Sequence, residues 1–391
     1  FLRWITRERV MSSTISKFLH SITNKRRNRD KAETAGEVTV ETDSNASARN
    51  EEHKTQIPPE NPNPQSVKMV RRRLSVDGND VSLDGVDTFC LDEVPSPLPD
   101  TGANSPKSCV GVYAGKSQKG YIPYNPRKVN QDYLLMYEDA STGTLLLGTF
   151  DGHGEHGHCI SEFICTTFYS SLLSHPDYRT NLRKAAVECL HKAEEDCIKN
   201  RFIKTEFSGT TAVICIIRGK HLTVLNVGDS RAILASEVGD DCVVTELTHD
   251  HKPSLPAEKE RIVKAGGRVF SMEYDDGYDA PARVWLADQD IPGLAMSRSL
   301  CDTVAHTVGV SSEPEVVERD LTDDDRVIVL GSDGLWEFIP SQEAIQLIED
   351  CEQPDEAVER LCTIAWKRWF DAEKVVDDTT IIVVFLNGES A

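Results

Sequence analysis

Three aspartates in this sequence stand at the ends of short hydrophobic segments. Asp151 and Asp333 each follow such a segment directly, and Asp377 shortly precedes another. Apolar runs of this length, rich in β-branched residues, are typical of buried strands. A sheet can gather the carboxylates at its strand ends into one pocket, and hard divalent cations prefer such oxygen ligands. The pattern therefore predicts a metal-dependent hydrolase of phosphate esters.

Glycine follows the first two of these carboxylates, in Asp151-Gly152 and Asp333-Gly334. Glycine lets the backbone approach a ligand closely, so that its carbonyl can serve as a further oxygen ligand. One acidic loop after a strand occurs in many unrelated proteins, but its repetition favours a metal site. Two cations about 3.5 to 4 Å apart can activate water and stabilise an in-line displacement at phosphorus.

His153 directly follows the first Asp-Gly pair, where an imidazole could protonate a leaving-group oxygen. A zinc site formed by His153, His156 and His158 is the competing interpretation. Zinc sites usually combine well-spaced Cys and His ligands, and no cysteine pair accompanies these histidines. We therefore expect His156 and His158 to cap or precede the following helix.

Two further segments contain candidate site residues. Asp229 follows a predicted strand and a glycine, the same order as at Asp151. It is either a further metal ligand or part of a two-residue Asp-Ser hairpin turn. Arg127 lies shortly before Asp132, a carboxylate at the start of another predicted strand. Its guanidinium could hold a phosphate through two hydrogen bonds, although Arg127 and Lys128 also fit an ordinary basic surface pair.

The elements that must position these residues begin near Cys109. Strands outnumber helices and often follow one another across short turns, which favours antiparallel sheets with helices packed outside over a doubly wound parallel sheet. The predicted strands are 132–137, 144–150, 211–217, 222–227, 231–235, 243–248, 326–330 and 379–385. The predicted helices are 158–173, 179–203, 257–265, 341–350 and 354–370.

The formal net charge of -21 over 391 residues is unevenly distributed. Residues 1–105 contain 15 Lys and Arg against 16 Asp and Glu, whereas residues 106–391 contain 28 against 48. Nucleic-acid backbones are bound mainly by Lys and Arg, so this acidic body argues against nucleic acid as a partner. It is compatible with cation binding.

Residues 1–105 are predicted to be a disordered N-terminal extension with a basic start, since they are polar, proline-rich and poor in aromatic residues. Within them, the arginines of Arg71-Arg72-Arg73-Leu74-Ser75 predict Ser75 as a site for a basophilic kinase. A solvated basic patch explains the same residues equally well. Residues 106–391 form the predicted catalytic domain.

Eleven cysteines are scattered along the chain without a CxxC pair. This is typical of reduced thiols in an intracellular protein, and it predicts a cytoplasmic or nuclear location. No apolar run approaches the roughly 18 to 20 residues of a membrane span, so no integral membrane span is expected.

Taken in order, the motifs of residues 109–387 resemble the metal-dependent protein phosphatases of the 2C (PPM) family. A conjunction of this many segments is far more specific than any single motif. The matching segments are Asn130-Gln131-Asp132, Phe150-Asp151-Gly152-His153-Gly154, Ser208-Gly209-Thr210-Thr211-Ala212, Val227-Gly228-Asp229-Ser230-Arg231, Asp250-His251-Lys252-Pro253, Ala265-Gly266-Gly267-Arg268-Val269, Leu294-Ala295-Met296-Ser297-Arg298-Ser299-Leu300, Gly331-Ser332-Asp333-Gly334-Leu335-Trp336-Glu337 and Asp377-Asp378-Thr379-Thr380.

The resemblance implies an α+β fold, with a central antiparallel β-sandwich flanked by helices on both sides. It also implies a protein serine/threonine phosphatase that acts in signal transduction on phosphoprotein substrates, through a water activated by two Mg²⁺ or Mn²⁺ ions. We expect the chain to be a monomer.

The same resemblance implies roles for individual residues. Asp151 bridges both ions, Gly152 offers its carbonyl, and Asp333 and Asp377 complete the shell of one ion. Asp132 and Gln131 lie in the outer shell of the metal site. The remaining roles are Arg127 as the phosphate ligand, His153 as the general acid, and Asp229 with Asp333 and Glu337 as ligands of a weaker third ion.

Two departures from the family pattern bear on these roles. Gln131 stands where many relatives have Glu, which removes a charge and predicts weaker metal affinity. Cys301 stands where the family usually has Gly before Asp302, which predicts an altered turn there. The stretch 249–278 corresponds to the variable flap beside the site, where substrate choice is expected to reside.

Two other functions remain as alternatives. A pseudophosphatase would keep the fold as a binding module, but the direct metal carboxylates Asp151, Asp333 and Asp377 are all present. A two-metal phosphodiesterase acting on nucleotides is disfavoured by the acidic body and by the order of the motifs.

Overall fold

The structure is a computed structural model that describes residues 109–239, 241–272 and 280–386. The predicted N-terminal extension, including Ser75, lies outside the described residues, as does part of the predicted flap. Within the described part no helix is long and apolar enough to cross a membrane.

The described residues form fifteen strands and seven helices. The strands are β1 (Val110–Gln118), β2 (Asp132–Asp139), β3 (Thr144–His153), β4 (Gly209–Thr210), β5 (Ala212–Arg218), β6 (His221–Val227), β7 (Arg231–Val238), β8 (Asp241–Glu246), β9 (Arg268–Phe270), β10 (Arg283–Trp285), β11 (Pro292–Leu294), β12 (Leu300–Cys301), β13 (Glu315–Asp320), β14 (Asp325–Gly331) and β15 (Thr379–Leu386). The helices are α1 (Gly157–Ser174), α2 (Leu182–Lys199), α3 (Pro256–Lys264), α4 (Thr303–His306), α5 (Asp333–Trp336), α6 (Ser341–Ile348) and α7 (Pro354–Glu373).

Two large sheets contain most of these strands. The first has the order β1-β15-β14-β7-β8, and the second has the order β12-β4-β3-β5-β6-β13, with β2 also paired to β3. A small third sheet has the order β11-β10-β9. The strand pairs within all three sheets are antiparallel, as predicted.

The central core lies between the two large sheets. Leu145 and Leu147 of β3 pack in one cluster with Ile382 and Val384 of β15. Leu146, between them in sequence, points to the other face of its sheet and packs against α1 and α2. Both faces of β3 are therefore buried, which explains why its sequence is continuously apolar instead of alternating.

The outer face of the first sheet is covered by α5, α6 and α7. Ile381 and Val383 of β15 pack there in one cluster with Leu361 and Ala365 of α7. Helices thus cover both outer faces of the sandwich, and the predicted α+β architecture is confirmed.

Seven of the fifteen strands were absent from the sequence-based prediction: β1, β4, β9, β10, β11, β12 and β13. Five of them are only two or three residues long, and β1 and β13 are the two longer ones. β1 contains glycine, serine and lysine, and β13 reads Glu-Val-Val-Glu-Arg-Asp, so neither has the β-branched composition of a typical strand. β13 pairs only with β6 at the edge of its sheet, where charged side chains are common. The predicted helix 179–203 is shorter at both ends, because Asn181 caps α2 by accepting a hydrogen bond from the Lys184 amide at 3.1 Å.

Candidate metal centre and active site

Carboxylates from both large sheets meet at one end of the sandwich. Asp132 at the start of β2 lies opposite Asp151 in the register of β2 and β3. Asp333 follows β14 and Asp377 precedes β15, and these two strands are paired neighbours. Ser332, next to Asp333, donates a hydrogen bond from its hydroxyl to Asp132 Oδ2 at 2.8 Å, which links the two sheets.

The electrostatics at Asp132 show how closely the acids are grouped. Its side chain is only 6% exposed, and its Oδ1 has no hydrogen-bond partner among the described residues. Burial, together with the negative charges of Asp151, Asp378 and Asp377, raises the pKa of Asp132 well above its ordinary value. A cation placed among these groups would relieve that repulsion, so the residues present fit a divalent metal site.

Asp378 is a structural member of this cluster that the sequence did not single out. Its Oδ1 accepts a hydrogen bond from the Gly120 amide at 2.7 Å, and its Oδ2 accepts one from the Gln131 amide at 2.9 Å. Lys128 Nζ also pairs with Oδ2. Asp378 thereby ties the segment before β2, which includes Arg127, to the start of β15.

The backbone at Gly152 leaves no room for a side chain. A Cβ at this position would lie 2.4 Å from the Gly157 carbonyl oxygen and 2.5 Å from that of Gln131. The Gly152 amide donates to the same Gln131 oxygen at 3.1 Å. Glycine is therefore required by close packing of the loop that follows Asp151.

The side chain of Gln131 has a definite structural task. Its Nε2 donates a hydrogen bond to the Gly154 carbonyl at 2.6 Å, so the amide holds the Asp151-to-Gly154 loop. Glutamate lacks this donor. The departure from the family pattern thus replaces a charge by a loop contact.

His153 is held by Asp302. The distance from His153 Nε2 to Asp302 Oδ2 is 2.5 Å, and both side chains are largely buried. Cys301 and Asp302 both have positive φ, 71° and 42°, a conformation that favours glycine. The expected alteration of the turn does not prevent contact with His153, because the Cys301 amide is anchored by Glu194 Oε1 at 2.9 Å.

Arg127 is exposed and makes no hydrogen bond or ion pair with the described part of the chain. Its neighbour Lys128 pairs with Asp378, so the two residues are not an equivalent basic surface pair. The Arg127 guanidinium is accordingly available for an anionic ligand.

The turn at Asp229 is not a hairpin, in contrast to one of the two sequence-based interpretations. It joins β6 to β7, and these strands lie in different large sheets. In a hairpin β6 would pair with β7, but here the chain crosses from one large sheet to the other. Asp229 is 2% exposed, and its Oδ2 accepts a hydrogen bond from Lys252 Nζ at 2.6 Å.

His251 fastens the segment that contains Lys252 to the Asp229 turn. The Gly228 amide donates to His251 Nδ1 at 3.1 Å, and the His251 amide donates to the Gly228 carbonyl at 2.9 Å. Burial, and then the positive charge of Arg298, lower the pKa of His251 to about 4. Glu258 and Glu315 oppose this shift, and Arg261 adds to it.

We expect this histidine to make the fold acid-sensitive. Its folded pKa of about 4 lies below the ordinary value near 6.5, so the unfolded chain binds the proton more tightly. The neutral form of His251 therefore contributes roughly 3 kcal/mol to the free energy of unfolding. This contribution is complete above about pH 6.5 and is lost as the pH falls through about 4. His251→Asn retains an acceptor for Gly228 but cannot titrate, and urea unfolding in EDTA at pH 7 and pH 4.5 should show a smaller acid loss than in the wild type. Parallel losses in the two proteins would contradict this role.

Two further histidines near Asp151 lie at the start of the following helix. His156 occupies the N-cap position of α1, as expected, whereas His158 lies inside its first turn. Elsewhere, the possible ligand atoms of His175, Asp177 and Glu188 lie within 4.8 Å of one another. His175 Nδ1 accepts a hydrogen bond from the Asp177 amide, and Lys184 already compensates the Asp177 carboxylate, so we assign no cation there.

The cysteines within the described residues are free thiols. Cys165, Cys189, Cys197, Cys215, Cys301 and Cys362 are buried.

Comparisons with known proteins agree with the geometry. The family model of protein phosphatase 2C matches residues 135–369. Probable protein phosphatase 2C 73 of Arabidopsis thaliana is 33% identical over 291 residues, which cover 67% of this chain and 77% of that protein. Probable protein phosphatase 2C 72 of the same plant is 34% identical over 277 residues, covering 67% of this chain and 82% of that protein.

Solved structures share the fold. The serine-threonine phosphatase 2C from Toxoplasma gondii has a TM-score of 0.62 and 21% identity, covering 70% of this chain and 94% of that chain. A C. elegans sex-determining protein has a TM-score of 0.57 and 24% identity, covering 71% of this chain and 65% of that chain. The sandwich, the order of the motifs and the family match lead to one conclusion: the chain belongs to the protein phosphatase 2C family of metal-dependent serine/threonine protein phosphatases.

Proposed function

We propose that the chain hydrolyses phosphoserine and phosphothreonine in proteins with two Mg²⁺ or Mn²⁺ ions held by Asp151, Asp333 and Asp377 and by the Gly152 carbonyl. The observation that carries this assignment is the convergence of carboxylates from two sheets around Asp132, whose pKa is raised by burial and by its acidic neighbours. Carboxylate and carbonyl oxygens are the ligands that Mg²⁺ and Mn²⁺ prefer.

Asp132 and Gln131 support this ligand set from outside. Asp132 accepts the Ser332 hydroxyl, and Gln131 fixes Gly154 through its side chain and Gly152 through its carbonyl oxygen. These contacts orient the two loops that supply Asp151 and Asp333. Groups that orient metal ligands in this way strongly affect metal affinity.

The metal ions, when bound, supply an activated water and neutralise charge on the phosphate. The chain's own residues bind and orient the substrate and handle the proton. The exposed Arg127 guanidinium can hold two phosphate oxygens at once, which orients the phosphate for in-line attack. Lys128 and Asp378 hold the segment that carries Arg127.

His153 and Asp302 form the proton-donating pair. The Asp302 carboxylate accepts a hydrogen bond from Nε2–H of the protonated imidazole and so stabilises it, as a carboxylate does in other acid–base pairs. Nδ1 is then the nitrogen that donates a proton to the departing serine or threonine oxygen. Asp302 is a positioning residue in this scheme.

Replacing His153 tests the proton transfer. His153→Ala should slow hydrolysis of a phosphothreonine peptide by roughly 10²- to 10⁴-fold, because an alkoxide leaving group needs a proton. Hydrolysis of p-nitrophenyl phosphate, whose leaving group is a stable anion, should fall by less than about tenfold. His191→Ala on α2, where the imidazole pairs with Glu313 at 3.1 Å, is the matched control. Equal losses on both substrates would remove His153 from the role of general acid.

The substrate class can be tested directly. Purified protein with Mn²⁺ should release phosphate from phosphoserine and phosphothreonine peptides and leave a phosphodiester such as bis-p-nitrophenyl phosphate almost untouched. Preference for the diester would favour a nucleotide phosphodiesterase, and a folded protein without any turnover would favour a binding module.

Several further expectations belong to the same proposal. We propose that the protein acts as a monomer in the cytoplasm or nucleus, on phosphoprotein substrates in signal transduction, and that a basophilic kinase phosphorylates Ser75. The acidic composition of residues 106–391, with 28 Lys and Arg against 48 Asp and Glu, supports the expectation that nucleic acid is not a partner.

A further inference from the structure

Asp229, which the family resemblance assigns to a weaker third ion, already forms an ion pair with a lysine. Lys252 Nζ lies 2.6 Å from Asp229 Oδ2. Asp229 is 2% exposed at its side chain, whereas the Lys252 side chain is 37% exposed. The carboxylate therefore lies in the interior, and the lysine side chain that reaches it is partly exposed along its length.

Lys252 does not reach Asp229 by chance, because its segment is fastened on both sides of the turn. His251 and Gly228 exchange two hydrogen bonds, at 2.9 and 3.1 Å. Arg231, two residues after Asp229, holds Asp250 with two hydrogen bonds of 2.9 and 2.8 Å. The two residues that precede Lys252 are thus tied to residues on either side of Asp229, His251 to Gly228 and Asp250 to Arg231.

The charges around the ammonium are those of a cation site. Besides Asp229, the negative charges of Asp250 and Glu337 act on Lys252. Glu337 directly follows α5, the helix that begins with Asp333. Asp229, Asp333 and Glu337 are the three residues that the resemblance gives to the third ion.

An ammonium and a divalent ion cannot share this position. A metal ligand distance of about 2.0 to 2.6 Å would place the ion against the oxygen that already accepts Nζ. Binding to the other oxygen of Asp229 would still leave two cations a few ångströms apart, where their repulsion is strong in a partly buried site.

We propose that Lys252 is a resident cation that neutralises Asp229 and competes with a divalent ion for it. The inference rests on the proposed two-metal function. It implies that a third ion binds weakly because it must first displace the ammonium, and that the partly exposed Lys252 side chain leaves toward solvent when the ion enters. Lys252 thereby sets the metal concentration at which the third position fills.

The test measures metal binding and not turnover. Mn²⁺ is titrated calorimetrically into the full-length wild type, Lys252→Met, Lys252→Arg and the surface control Lys259→Met on α3. We expect the tight class of sites to be unchanged in all four proteins. The weak class should bind about tenfold more tightly in Lys252→Met, because no ammonium competes with the ion for Asp229. It should stay within about twofold of wild type in Lys252→Arg and Lys259→Met.

Thermal unfolding gives an independent reading. In EDTA, Lys252→Met should melt below the wild type, and excess Mn²⁺ should raise its melting temperature by more than that of the wild type, since ligand binding to the folded state stabilises it. Lys252→Gln keeps a hydrogen-bond donor without the charge, and it replaces Lys252→Met in the test if that variant does not fold. It should also bind Mn²⁺ more tightly than the wild type at the weak class of sites.

The outcomes separate this inference from the proposed function. Unchanged or weaker binding of the weak class in both Lys252→Met and Lys252→Gln would overturn the competition while leaving the two-metal site intact. Absence of tight Mn²⁺ binding in the wild type, or tight binding that persists in Asp151→Asn, would overturn the proposed function and this inference with it.

Discussion

Asp151→Asn is expected to abolish phosphatase turnover and, at the same time, to make the metal-free protein more stable. The carboxylate of Asp151 acts on the buried Asp132, whose pKa is raised by burial and then by this charge. A neutral amide of the same shape removes one negative charge from the cluster. The metal-free fold should gain roughly 1 to 3 kcal/mol at pH 7, because buried like charges repel.

Phosphatase activity should fall in Asp151→Asn although the metal-free fold becomes more stable. Without the carboxylate that would bridge both ions, hydrolysis of a phosphothreonine peptide should fall by about 10³-fold or more. The stabilisation by Mn²⁺ should also be lost. Phosphate release and thermal unfolding in EDTA, measured on the same preparation, give both values.

Asp139→Asn is the matched control at the far end of the same hairpin. Asp139 accepts hydrogen bonds from Thr142 at 2.6 Å and from Tyr178 at 3.1 Å. Although burial acts in the opposite direction, these hydrogen bonds lower the pKa of Asp139. Its replacement should destabilise the fold slightly and leave turnover unchanged. If Asp151→Asn destabilises the metal-free protein as Asp139→Asn does, repulsion between Asp151 and Asp132 does not destabilise the metal-free fold, and this prediction is wrong.

Asp378→Ala is expected to cause the largest loss of stability. The substitution leaves the amides of Gly120 and Gln131 without their acceptors and leaves the Lys128 ammonium, 14% exposed, without its partner. Removing one partner of a buried ion pair costs about 3 to 5 kcal/mol. The segment that carries Arg127 should loosen as well, so the KM for phosphopeptides should rise.

Chemical unfolding in EDTA measures this loss, and two further variants interpret it. Asp371→Ala, an exposed carboxylate near the end of α7, should change the free energy of unfolding by less than about 0.5 kcal/mol. Lys128→Met combined with Asp378→Ala should recover part of the loss, because no unpaired ammonium remains. A loss below about 1 kcal/mol in Asp378→Ala would show that Asp378 does not hold the segment.

The strand and helix pattern predicted antiparallel sheets with helices outside because the central strands carry strong local signals, whereas the sandwich itself was implied by the family resemblance. β3, β5, β6, β14 and β15 are rich in β-branched and other apolar residues, and short turns separate several of them. The helices on the outer faces have equally clear boundaries, such as Pro354 at the start of α7.

The turn at Asp229 shows where local patterns are insufficient. A short Gly-Asp-Ser connection between two strands reads as a hairpin whether the strands pair or separate. Which sheet receives β7 depends on its pairing with β14, nearly a hundred residues later in the sequence. No signal within the turn itself contains this information.

The candidate site was predictable to the same extent. Asp151, Asp333 and Asp377 were visible because each stands at a strand end beside an apolar run. Asp378 and Lys252 were not singled out, because their tasks depend on partners that are distant in sequence, such as Gly120 and Asp229. Long-range contacts of this kind are defined by the fold and not by residue spacing.

The measurement that tests the central claim most directly is phosphate release from a phosphothreonine peptide by the wild type and by Asp151→Asn, with Mn²⁺ and again with excess EDTA. The carboxylate cluster predicts turnover that requires Mn²⁺, disappears in EDTA, and is lost in the variant although it remains folded. Turnover that survives EDTA, or that persists in Asp151→Asn, would contradict a metal-dependent phosphatase centred on these aspartates.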